Sequence, residues 1–521
     1  MLEVDEVLEK FGYFSRQQGI MLLLCSLINL LSSMHILSNP LINFVPKYWC
    51  ADGLDPGAPP PNESSCKPLY NNSTNSGTCN KYNYEVHMGF QSFVSEMNWI
   101  CDEAWKLRKG NSYFLAGRLI GSLFMGYLAD ILGRVPIVVL TNVIAIFGNF
   151  LTIFDMNVDL FCIFRFICGF VLNSNFALIR ILIVEYMRPS LRTVCLNICV
   201  DFISYLGIIS TIWIVVLVGN WRRFMLLDSL PIFVMPIFFY FVPESVQWLI
   251  SRKKYGQAIA ALRRVAKING RQIDDNLFKE FIDDCKLSQQ NTKNTPNLLH
   301  LLRTPRLRRT FLIMLLEVMI ILLFNKLVMY HIRHLKISPF VRSSLLITSI
   351  LPACLAIIIL QDRIGRKALA LTIRLLIVLF LLLSCVLLSP AASHSTPLLL
   401  SIFVIGNIFS DLAFYSNIQY TLELIPTCVR SQTVGSIYAI SYVLDIFTYY
   451  FLNMREVFLL LPEIILAIIA FLGACLCLLL PETLNRTLPS SLEDGDKLGN
   501  DEHWYTFGCT QPEQLENSLE E

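Results

Sequence analysis

Charged residues are scarce in this chain. Asp, Glu, Lys and Arg make up only 16% of its 521 residues, whereas 54% are hydrophobic and the mean hydropathy is +0.55. A soluble protein of this length carries about a quarter charged residues. The shortage excludes an ordinary soluble domain and predicts a membrane protein. The net charge of +2 gives no sign of a nucleic-acid partner, and we expect none.

Signatures of catalysis and of nucleotide or metal binding are also missing. No glycine-rich loop precedes a Lys-Ser or Lys-Thr pair, so we expect no nucleotide and no ATP drive. No His and Cys residues have metal-ligand spacing, since His331 and His334 form only an isolated pair. Glu244 and Glu482 stand beside prolines, which suits helix termination better than acid–base chemistry. We therefore expect that the protein is not an enzyme and that it binds no cofactor and no metal.

Apolar residues are gathered into blocks rather than spread at amphipathic spacing. A block of about 20 residues is enough to cross a bilayer, and we count twelve. The prediction is an all-α membrane protein with twelve transmembrane helices. The blocks lie at residues 17–43, 112–132, 135–155, 158–187, 193–218, 222–243, 310–331, 341–361, 367–388, 397–422, 431–453 and 457–480.

Basic residues are concentrated on one side of this twelve-span arrangement. Between Arg252 and Arg309 the chain carries fourteen basic residues and five acidic ones. The positive-inside rule places that side, and both termini, in the cytoplasm. The predicted parts are a cytoplasmic N-terminus (1–16), a first six-helix half (17–243) that includes an extracellular loop domain (43–110), a cytoplasmic linker with helices (244–309), a second six-helix half (310–483) and a cytoplasmic tail (484–521) that we expect to be disordered.

The segment after the first block has the marks of an extracellular loop. Its four cysteines predict two disulfides in an oxidising compartment, with three pairings open. Three acceptor sequons predict N-glycosylation. An oligomer formed through this loop also stays open. The cysteines are Cys50, Cys66, Cys79 and Cys101, and the sequons begin at Asn62, Asn71 and Asn72.

Three short signals at the ends of these blocks occur twice, in the same order. The second copies follow the first after 232 or 238 residues. Such a repeat predicts two pseudo-symmetric halves, as in transporters that rock one half against the other. The copies are Asp130-x-x-Gly133-Arg134 and Asp362-x-x-Gly365-Arg366, Glu185-x6-Arg192 and Glu423-x6-Arg430, and Pro243-Glu244-Ser245 and Pro481-Glu482-Thr483.

We expect the repeated charges to form a cytoplasmic gate. Gly133 permits a tight turn between two helices, and Asp130 can lie at the N-terminal end of a facing helix, where the dipole favours an anion. Ion pairs would form when the cytoplasmic side is shut and separate when it opens. Each exposed pair contributes at most about 1 kcal/mol, so a network biases both states without locking either. The predicted gate residues are Asp130, Gly133, Arg134, Glu185, Arg192, Glu244, Asp362, Gly365, Arg366, Glu423, Arg430 and Glu482.

These motifs resemble those of the organic ion transporters of the major facilitator superfamily, most closely the invertebrate members. The resemblance rests on residues 117–134, 185–192, 243–249, 423–430 and 480–483, together with the large loop after the first span. It covers essentially the whole chain. It implies the major facilitator fold and alternating access to a central cavity, with cations, anions or zwitterions as substrates.

Departures from the family pattern concern the charge of the substrate. The segment 130–135 lacks two arginines that the family usually has, and Val246-Gln247 stands where the family has Pro-Arg. The resemblance implies a binding acid at the position that Tyr442 occupies here, and Asp445 follows about one turn deeper. Arg180 stands where the cation carriers of the family tend to have an aromatic residue.

Ionisable residues inside the apolar blocks are candidates for substrate binding. Mutual pairing, such as Arg180 with Asp445 or Glu317 with Lys326, is the structural alternative. Aromatic residues could form a cage for a quaternary ammonium through cation–π attraction, and Phe414 and Tyr420 are further candidates for it. The predicted substrate-binding residues are Tyr442, Asp445, Arg180, Lys326, Glu317, Asp411, Tyr330, Tyr415 and Trp213.

The other ionisable residues of the blocks receive different interpretations. Arg374 and Glu463 are expected near the interfaces, with side chains that snorkel to water. Arg165 resembles a common structural arginine of these carriers. Asp201 is an additional candidate whose facing the sequence leaves open.

The leading hypothesis is a multi-pass plasma-membrane carrier of small organic ions, either cations or zwitterions of the carnitine type. An organic anion exchanger is the alternative, favoured if Arg180 and Lys326 are unpaired. A non-transporting receptor or scaffold that keeps the fold also stays open, because the first loop motif is incomplete and Val246-Gln247 replaces the usual Pro-Arg. The expected partners are a small organic ion and the lipid bilayer.

Overall fold

The computed structural model describes residues 15–51, 66, 79, 81–85, 87–154, 157–270, 281–282, 285–286, 297–333, 339–388, 396–500 and 506–508. Over these residues the chain is helical, apart from its loops and one two-stranded sheet. The predicted glycosylation sites Asn62, Asn71 and Asn72 lie outside them.

Six long helices form the first half of the chain. They are α1 (Arg16–Ile42), α2 (Cys101–Leu132), α3 (Arg134–Leu151), α4 (Val158–Tyr186), α5 (Pro189–Val218) and α6 (Trp221–Phe241). Helices α2 and α3 both pack on α4, and α1 packs on α5. Helix α5 contains a π-helical segment, Asn197–Phe202, and α6 contains a 3-10 segment, Leu230–Val234.

Six further helices form the second half. They are α7 (Pro305–Arg333), α8 (Phe340–Ile364), α9 (Arg366–Leu387), α10 (Pro397–Leu424), α11 (Arg430–Asn453) and α12 (Leu461–Cys477). Helix α9 packs on α12, and α7 packs on α10 and α11. The two halves meet where α2 lies against α11 and where α5 lies against α8.

The twelve helices coincide with the twelve predicted apolar blocks. Ten of them, over the described residues, are long and apolar enough to cross a membrane, and α12 is a shorter apolar helix. Helix α2 begins about three turns before its apolar block. Its first turns carry Lys106, which pairs with Glu103, and Lys109, whose Nζ lies 2.8 Å from Asp159. These charges prolong the helix beyond the apolar span.

Small residues let α2 approach its neighbours closely, as their spacing indicated. A Cβ at Gly117 or Gly121 would overlap carbonyl oxygens of α4, and a Cβ at Gly126 would crowd the Ser431 carbonyl of α11. Gly435 of α11 meets the Ser122 carbonyl of α2 in the same way. The contact between the halves is therefore made backbone to backbone.

The turns between α2 and α3 and between α8 and α9 lie at one end of the bundle, which we call the motif end. The opposite end, the loop end, is covered by the segment between α1 and α2. There Phe93, in a short helix (Phe93–Met97), stacks on Phe161 of α4 and meets Trp221 of α6 edge-on. Two antiparallel strands complete this cover, β1 (Tyr48–Cys50) and β2 (Tyr82–Tyr84).

Two disulfides fasten the loop end. They join Cys50 to Cys79 and Cys66 to Cys101, at sequence separations of 29 and 35. The prediction of two disulfides is confirmed, and one of the three open pairings is realised.

The linker and the tail both fold against the motif end. The linker forms short helices, Val246–Ser251, Tyr255–Asn269 and Leu298–Arg303. The tail forms a helix, Leu492–Lys497, and its Pro489 carbonyl accepts the N–H of Thr427 at 2.9 Å. The prediction of a disordered tail is therefore wrong for residues 484–500. Its polar backbone is held there by hydrogen bonds to the bundle.

Candidate functional site

Gly133 makes the turn between α2 and α3. Its φ of 122° lies in a region that favours glycine, and a Cβ there would overlap the Glu244 carboxylate. That carboxylate accepts the N–H groups of Arg134 at 3.0 Å and of Val135 at 3.2 Å. Burial raises the pKa of Glu244, and the bonded N–H groups offset part of this rise. Glu244 thus caps the start of α3, which differs from the predicted role of ending its own helix.

The second copy of the motif repeats this turn. Gly365 has a φ of 96°, and a Cβ there would overlap the Glu482 carboxylate. Glu482 accepts the N–H groups of Arg366 at 2.9 Å and of Lys367 at 3.2 Å. Two of the three repeated signals, the Gly-Arg turn and the Pro-Glu cap, therefore build the same capped turn in both halves.

Asp130 reaches from the end of α2 to the start of α11. Its carboxylate accepts the N–H groups of Gln432 at 2.8 Å and Ser431 at 3.3 Å, and it pairs with Arg134 at 3.0 Å. The carboxylate is buried, and the unpaired N–H groups of a helix start stabilise an anion. The predicted placement of Asp130 at a facing helix start is confirmed. Because α11 belongs to the other half, this contact joins the two halves.

Glu185 connects arginines from opposite halves. Its Oε1 accepts from Nη2 of Arg134 at 3.2 Å and from Nη1 of Arg430 at 2.9 Å. All three side chains are buried. One carboxylate therefore neutralises two buried guanidinium groups, so its removal would leave both without their shared counter-ion.

Arg366 organises the corresponding network of the second half. It pairs with Asp362 at 2.9 Å and with Glu423 at 3.1 Å. Asp362 in turn accepts the hydroxyl of Thr193, on α5 of the first half, at 2.6 Å. The Asp362 side chain is 31% exposed, whereas that of Asp130 is 0% exposed. The second network is therefore more open to solvent than the first.

The motif end is closed across the halves by these contacts and by the tail. Arg192, on α5, donates from Nη1 to the Arg486 carbonyl at 3.0 Å. The tail thus bonds to Arg192 in the first half and to Thr427 in the second. All twelve predicted gate residues lie at this end of the bundle.

Arg180 and Asp201 form a buried ion pair inside the first half. Nη2 of Arg180 donates to Oδ1 of Asp201 at 2.5 Å, and the ring of Tyr415 lies 5.9 Å from the guanidinium. Asp201 belongs to the π-helical segment of α5, a distortion that is frequent at functional sites. The side chain of Asp445, the alternative partner, lies outside the described residues.

Three other predictions about intramembrane charges need correction. Glu317 pairs with Arg374 rather than with Lys326, which is exposed on α7. Glu463 lies 3.1 Å from His331. Arg374 and Glu463 do not snorkel, because both are buried, at 2% and 0% exposure, with a partner inside the second half. Such pairing offsets the cost of burying each charge.

Asp411 on α10 is bonded to neutral groups. Its carboxylate accepts the hydroxyl of Ser349 and the amide of Asn407, the latter at 3.3 Å. Among the described residues, no cation lies within ion-pair distance of it. Asp411 is therefore an intramembrane acid whose described hydrogen-bond partners are neutral.

The ring of Tyr442, on α11, is in contact with an arginine that the sequence analysis missed. The guanidinium of Arg118, on α2, lies 4.1 Å from the centre of its ring, and Tyr438 stacks beside the ring at 6.3 Å. Arg118 occupies a ring face that a substrate ammonium would need. The available signal was a single arginine between Gly117 and Gly121, inside an apolar block.

The remaining predicted aromatic residues are dispersed. Tyr420 donates its hydroxyl to the Pro481 carbonyl at 2.6 Å, so it belongs to the motif end. Tyr330 lies at the end of α7 under the guanidinium of Arg455, 5.2 Å from its ring centre. Trp213 on α5 is 42% exposed. These three residues do not form one cage with Tyr442.

A buried polar cluster in the first half was also missed. His35 of α1 and Asp228 of α6 lie 2.8 Å apart, and Asn149 donates to Asp228 at 2.6 Å. Arg165 donates to Asn149 at 3.3 Å. This arrangement agrees with the structural interpretation of Arg165. The sequence feature that could have predicted this cluster is the presence of a histidine and an aspartate in separate apolar blocks of one half.

Residues 70–492 match the family model described as "Sugar (and other) transporter". The chain belongs to this transporter family. The match spans both halves and both copies of each repeated motif.

This transporter is also similar to named carriers of small molecules. It is 28% identical to solute carrier family 22 member 2 of Mus musculus over 78% of the chain and 72% of that protein. It is 29% identical to solute carrier family 22 member 3 of Mus musculus over 84% and 78%. It is 23% identical to the organic cation transporter protein of Drosophila melanogaster over 82% and 78%.

Solved structures establish the fold. The proton:xylose symporter XylE of the major facilitator superfamily, bound to 6-bromo-6-deoxy-D-glucose, superposes with a TM-score of 0.60 at 17% identity. The superposition covers 91% of this transporter and 98% of XylE. The twelve helices therefore have the major facilitator arrangement.

Proposed function

We propose that this protein is a plasma-membrane carrier that moves small organic cations or zwitterions by alternating access between its two halves. The observation that carries the proposal is the set of charged contacts between the halves at the motif end. Glu185 to Arg430 and Asp130 to the start of α11 both cross from one half to the other. Such contacts can form and separate as the halves rock.

The orientation follows from the distribution of charge and cysteine. The basic linker folds against the motif end, so the positive-inside rule makes that end, and both termini, cytoplasmic. The loop end carries both disulfides, which suits the oxidising exterior. The contacts described above then represent a state that is shut toward the cytoplasm.

The charge of the substrate is inferred from the central residues. Asp411 has neutral hydrogen-bond partners and no cation within ion-pair distance among the described residues. An ionisable residue inside a membrane span is a candidate functional residue, and a carboxylate there suits a positively charged substrate. Asp445 is a second candidate acid, one turn beyond Tyr442. A substrate with a quaternary ammonium group satisfies this chemistry.

The two alternative functions gain little support. The anion exchanger depends on an unpaired Arg180, which is paired with Asp201. The non-transporting scaffold depends on the departures in the first loop motif. Val135 departs from the family pattern, yet its N–H still bonds to Glu244, and Arg134 keeps two carboxylate partners. The departures leave the gate contacts intact.

Uptake into expressing cells tests the proposal. The probes are labelled tetraethylammonium, carnitine and p-aminohippurate, measured at two membrane potentials. We expect uptake of the cation to rise with inside-negative potential, uptake of the zwitterion to be insensitive to it, and Asp411→Asn to abolish both. Lys109→Gln, which removes a surface pair at the loop end, is the matched control. Absence of uptake of every probe, with the protein at the cell surface, would contradict the carrier function.

A further inference from the structure

Arg118 lies near the middle of α2, where that helix faces α4 and α11. A cationic side chain at the centre of a membrane helix is costly and requires compensation. Arg118 is half-buried, and its helix forms the main contact between the two halves. Any group that binds Arg118 would therefore lie against the interface between the halves.

The described partners of Arg118 are neutral. Nη2 donates to Oδ1 of Asn173, on α4, at 3.4 Å, and the guanidinium lies over the ring of Tyr442 at 4.1 Å. Within the described part of the chain, Nε of Arg118 and Nδ2 of Asn173 are buried donors without an acceptor. Among the described residues, no carboxylate lies within ion-pair distance of Arg118. Two adjacent buried donors beside a positive charge thus lack an acceptor, which is expensive unless a ligand supplies one.

The other arginines inside the bundle differ from Arg118. Arg180 and Arg374 each have a carboxylate partner within their own half. Arg165 is 1% exposed and is enclosed in the polar cluster of the first half. Arg118 alone in this comparison combines partial exposure, a position between the halves and orphan donors.

We propose that Arg118, Asn173 and the ring of Tyr442 form a subsite for the carboxylate group of the transported substrate. A guanidinium presents parallel N–H groups that match a carboxylate, and Asn173 Nδ2 supplies an additional donor. The Tyr442 ring supports the guanidinium from one side. The inference rests on the carrier function and predicts that, among its substrates, zwitterions with both a carboxylate and a quaternary ammonium group are preferred over simple cations.

An internal carboxylate is the competing occupant of this subsite. Asp445 lies three residues after Tyr442 on α11, one turn along the helix. If Asp445 forms an ion pair with Arg118, replacing either residue by a neutral amide should have the same effect on ligand binding. A test of the subsite therefore compares variants at both positions.

Ligand binding to the purified full-length protein distinguishes a substrate carboxylate from the Asp445 carboxylate as the partner of Arg118. The probes are glycine betaine and choline, which share a trimethylammonium group but differ in the carboxylate, and the readout is the shift of the thermal unfolding temperature. For Arg118→Gln we expect the half-maximal concentration of glycine betaine to rise about tenfold or more, as for loss of a charge-assisted bond. The choline response should stay unchanged, and Arg118→Lys should fall between wild type and Arg118→Gln.

Control variants separate the possible outcomes. Arg108→Gln removes an exposed cation of the same helix and should leave both responses as in wild type. Asp445→Asn should leave the preference for the carboxylate probe in place. The proposal is overturned if Arg118→Gln weakens both probes equally or neither, if Asp445→Asn reproduces its effect, or if glycine betaine gives no shift with wild type. Since binding is measured without transport, a failed uptake assay would count against the carrier function alone.

Discussion

At the scale of single residues, most charges described inside the bundle are paired with a residue of opposite charge. Arg180 is paired with Asp201, and Arg374 with Glu317, within one half. Burial of such pairs roughly balances desolvation against attraction, so the pairs add little stability but are costly to break. Asp411, Arg118 and Arg165 depart from this rule, since their described contacts are to neutral groups. Arg165 is fully buried, whereas Asp411 and Arg118 are only partly buried and carry opposite charge, as a zwitterion requires.

The pair in α4 and α5 gives a prediction about stability. Asp201→Asn should lower the free energy of unfolding by about 3–5 kcal/mol, because Arg180 would remain buried without its counter-ion. The addition of Arg180→Leu should recover most of this loss, since it removes the stranded charge. Thermal unfolding in detergent ranks the stabilities of wild type, Asp201→Asn and the double variant. A double variant less stable than Asp201→Asn would contradict the account.

The turn glycine gives a second prediction at this scale. Gly133→Ala should destabilise the protein by about 1–3 kcal/mol, because an alanine is strained at the φ of 122° and its Cβ overlaps Glu244. Gly365→Ala should act likewise in the second half. The matched control is Gly256→Ala in the linker helix, where a Cβ meets nothing within 4 Å. A melting temperature of Gly133→Ala equal to that of the control would refute the strain argument.

At the scale of helices, the two halves repeat more than the sequence motifs indicate. In the first half, His35 and Asp228 join α1 to α6, and in the second, His331 and Glu463 join α7 to α12. Each pair links the first and the last helix of its half. The acidic residue is Asp in one pair and Glu in the other, and the offsets between corresponding residues differ. The repeat is therefore visible in the structure but not in the amino-acid sequence.

The capped turns give a prediction for these elements. Glu244→Ala should cost about 0.5–2 kcal/mol, because it removes the acceptor for the first N–H groups of α3. Glu482→Ala should cost a similar amount at α9, and hydrogen exchange should rise in the first turn of the affected helix. Glu456→Ala, at an exposed position of the loop end, serves as the control. Unchanged exchange in α3 after Glu244→Ala would show that the cap is dispensable.

Sequence reasoning succeeded where a property depends on local order along the chain. The spacing of Asp130, Gly133 and Arg134 predicted a turn and an anion at a facing helix start, and both are present. It failed where a property depends on how helices rotate against each other. Whether Arg180 meets Asp201 or Asp445, and where Arg118 points, depends on packing angles that the sequence order does not contain.

At the scale of the whole molecule, the two rigid halves have two arrangements, one in which the motif end is shut and one in which it is open. The polar contacts that hold it shut are concentrated at the helix ends. They include the Asp130 cap on α11, the Glu185–Arg430 pair, the Thr193–Asp362 hydrogen bond and the tail. The loop end is held within the first half by disulfides, which do not cross to the second half. Weakening the motif end should therefore open the molecule rather than unfold it.

Cys428, between α10 and α11, is a built-in reporter of this opening. It is 2% exposed, and burial raises the pKa of its thiol to about 12, so the thiolate is nearly absent while the motif end is shut. Glu185→Gln should destabilise the shut state by about 3–5 kcal/mol, because Arg430, in the opposite half, loses its carboxylate partner and Arg134 keeps only Asp130. Maleimide labelling of Cys428, followed by peptide mass spectrometry, should then accelerate by about a hundredfold or more. Glu317→Gln breaks a buried pair inside one half and should leave the labelling slow. Equally slow labelling in Glu185→Gln would mean that this carboxylate does not hold the halves together.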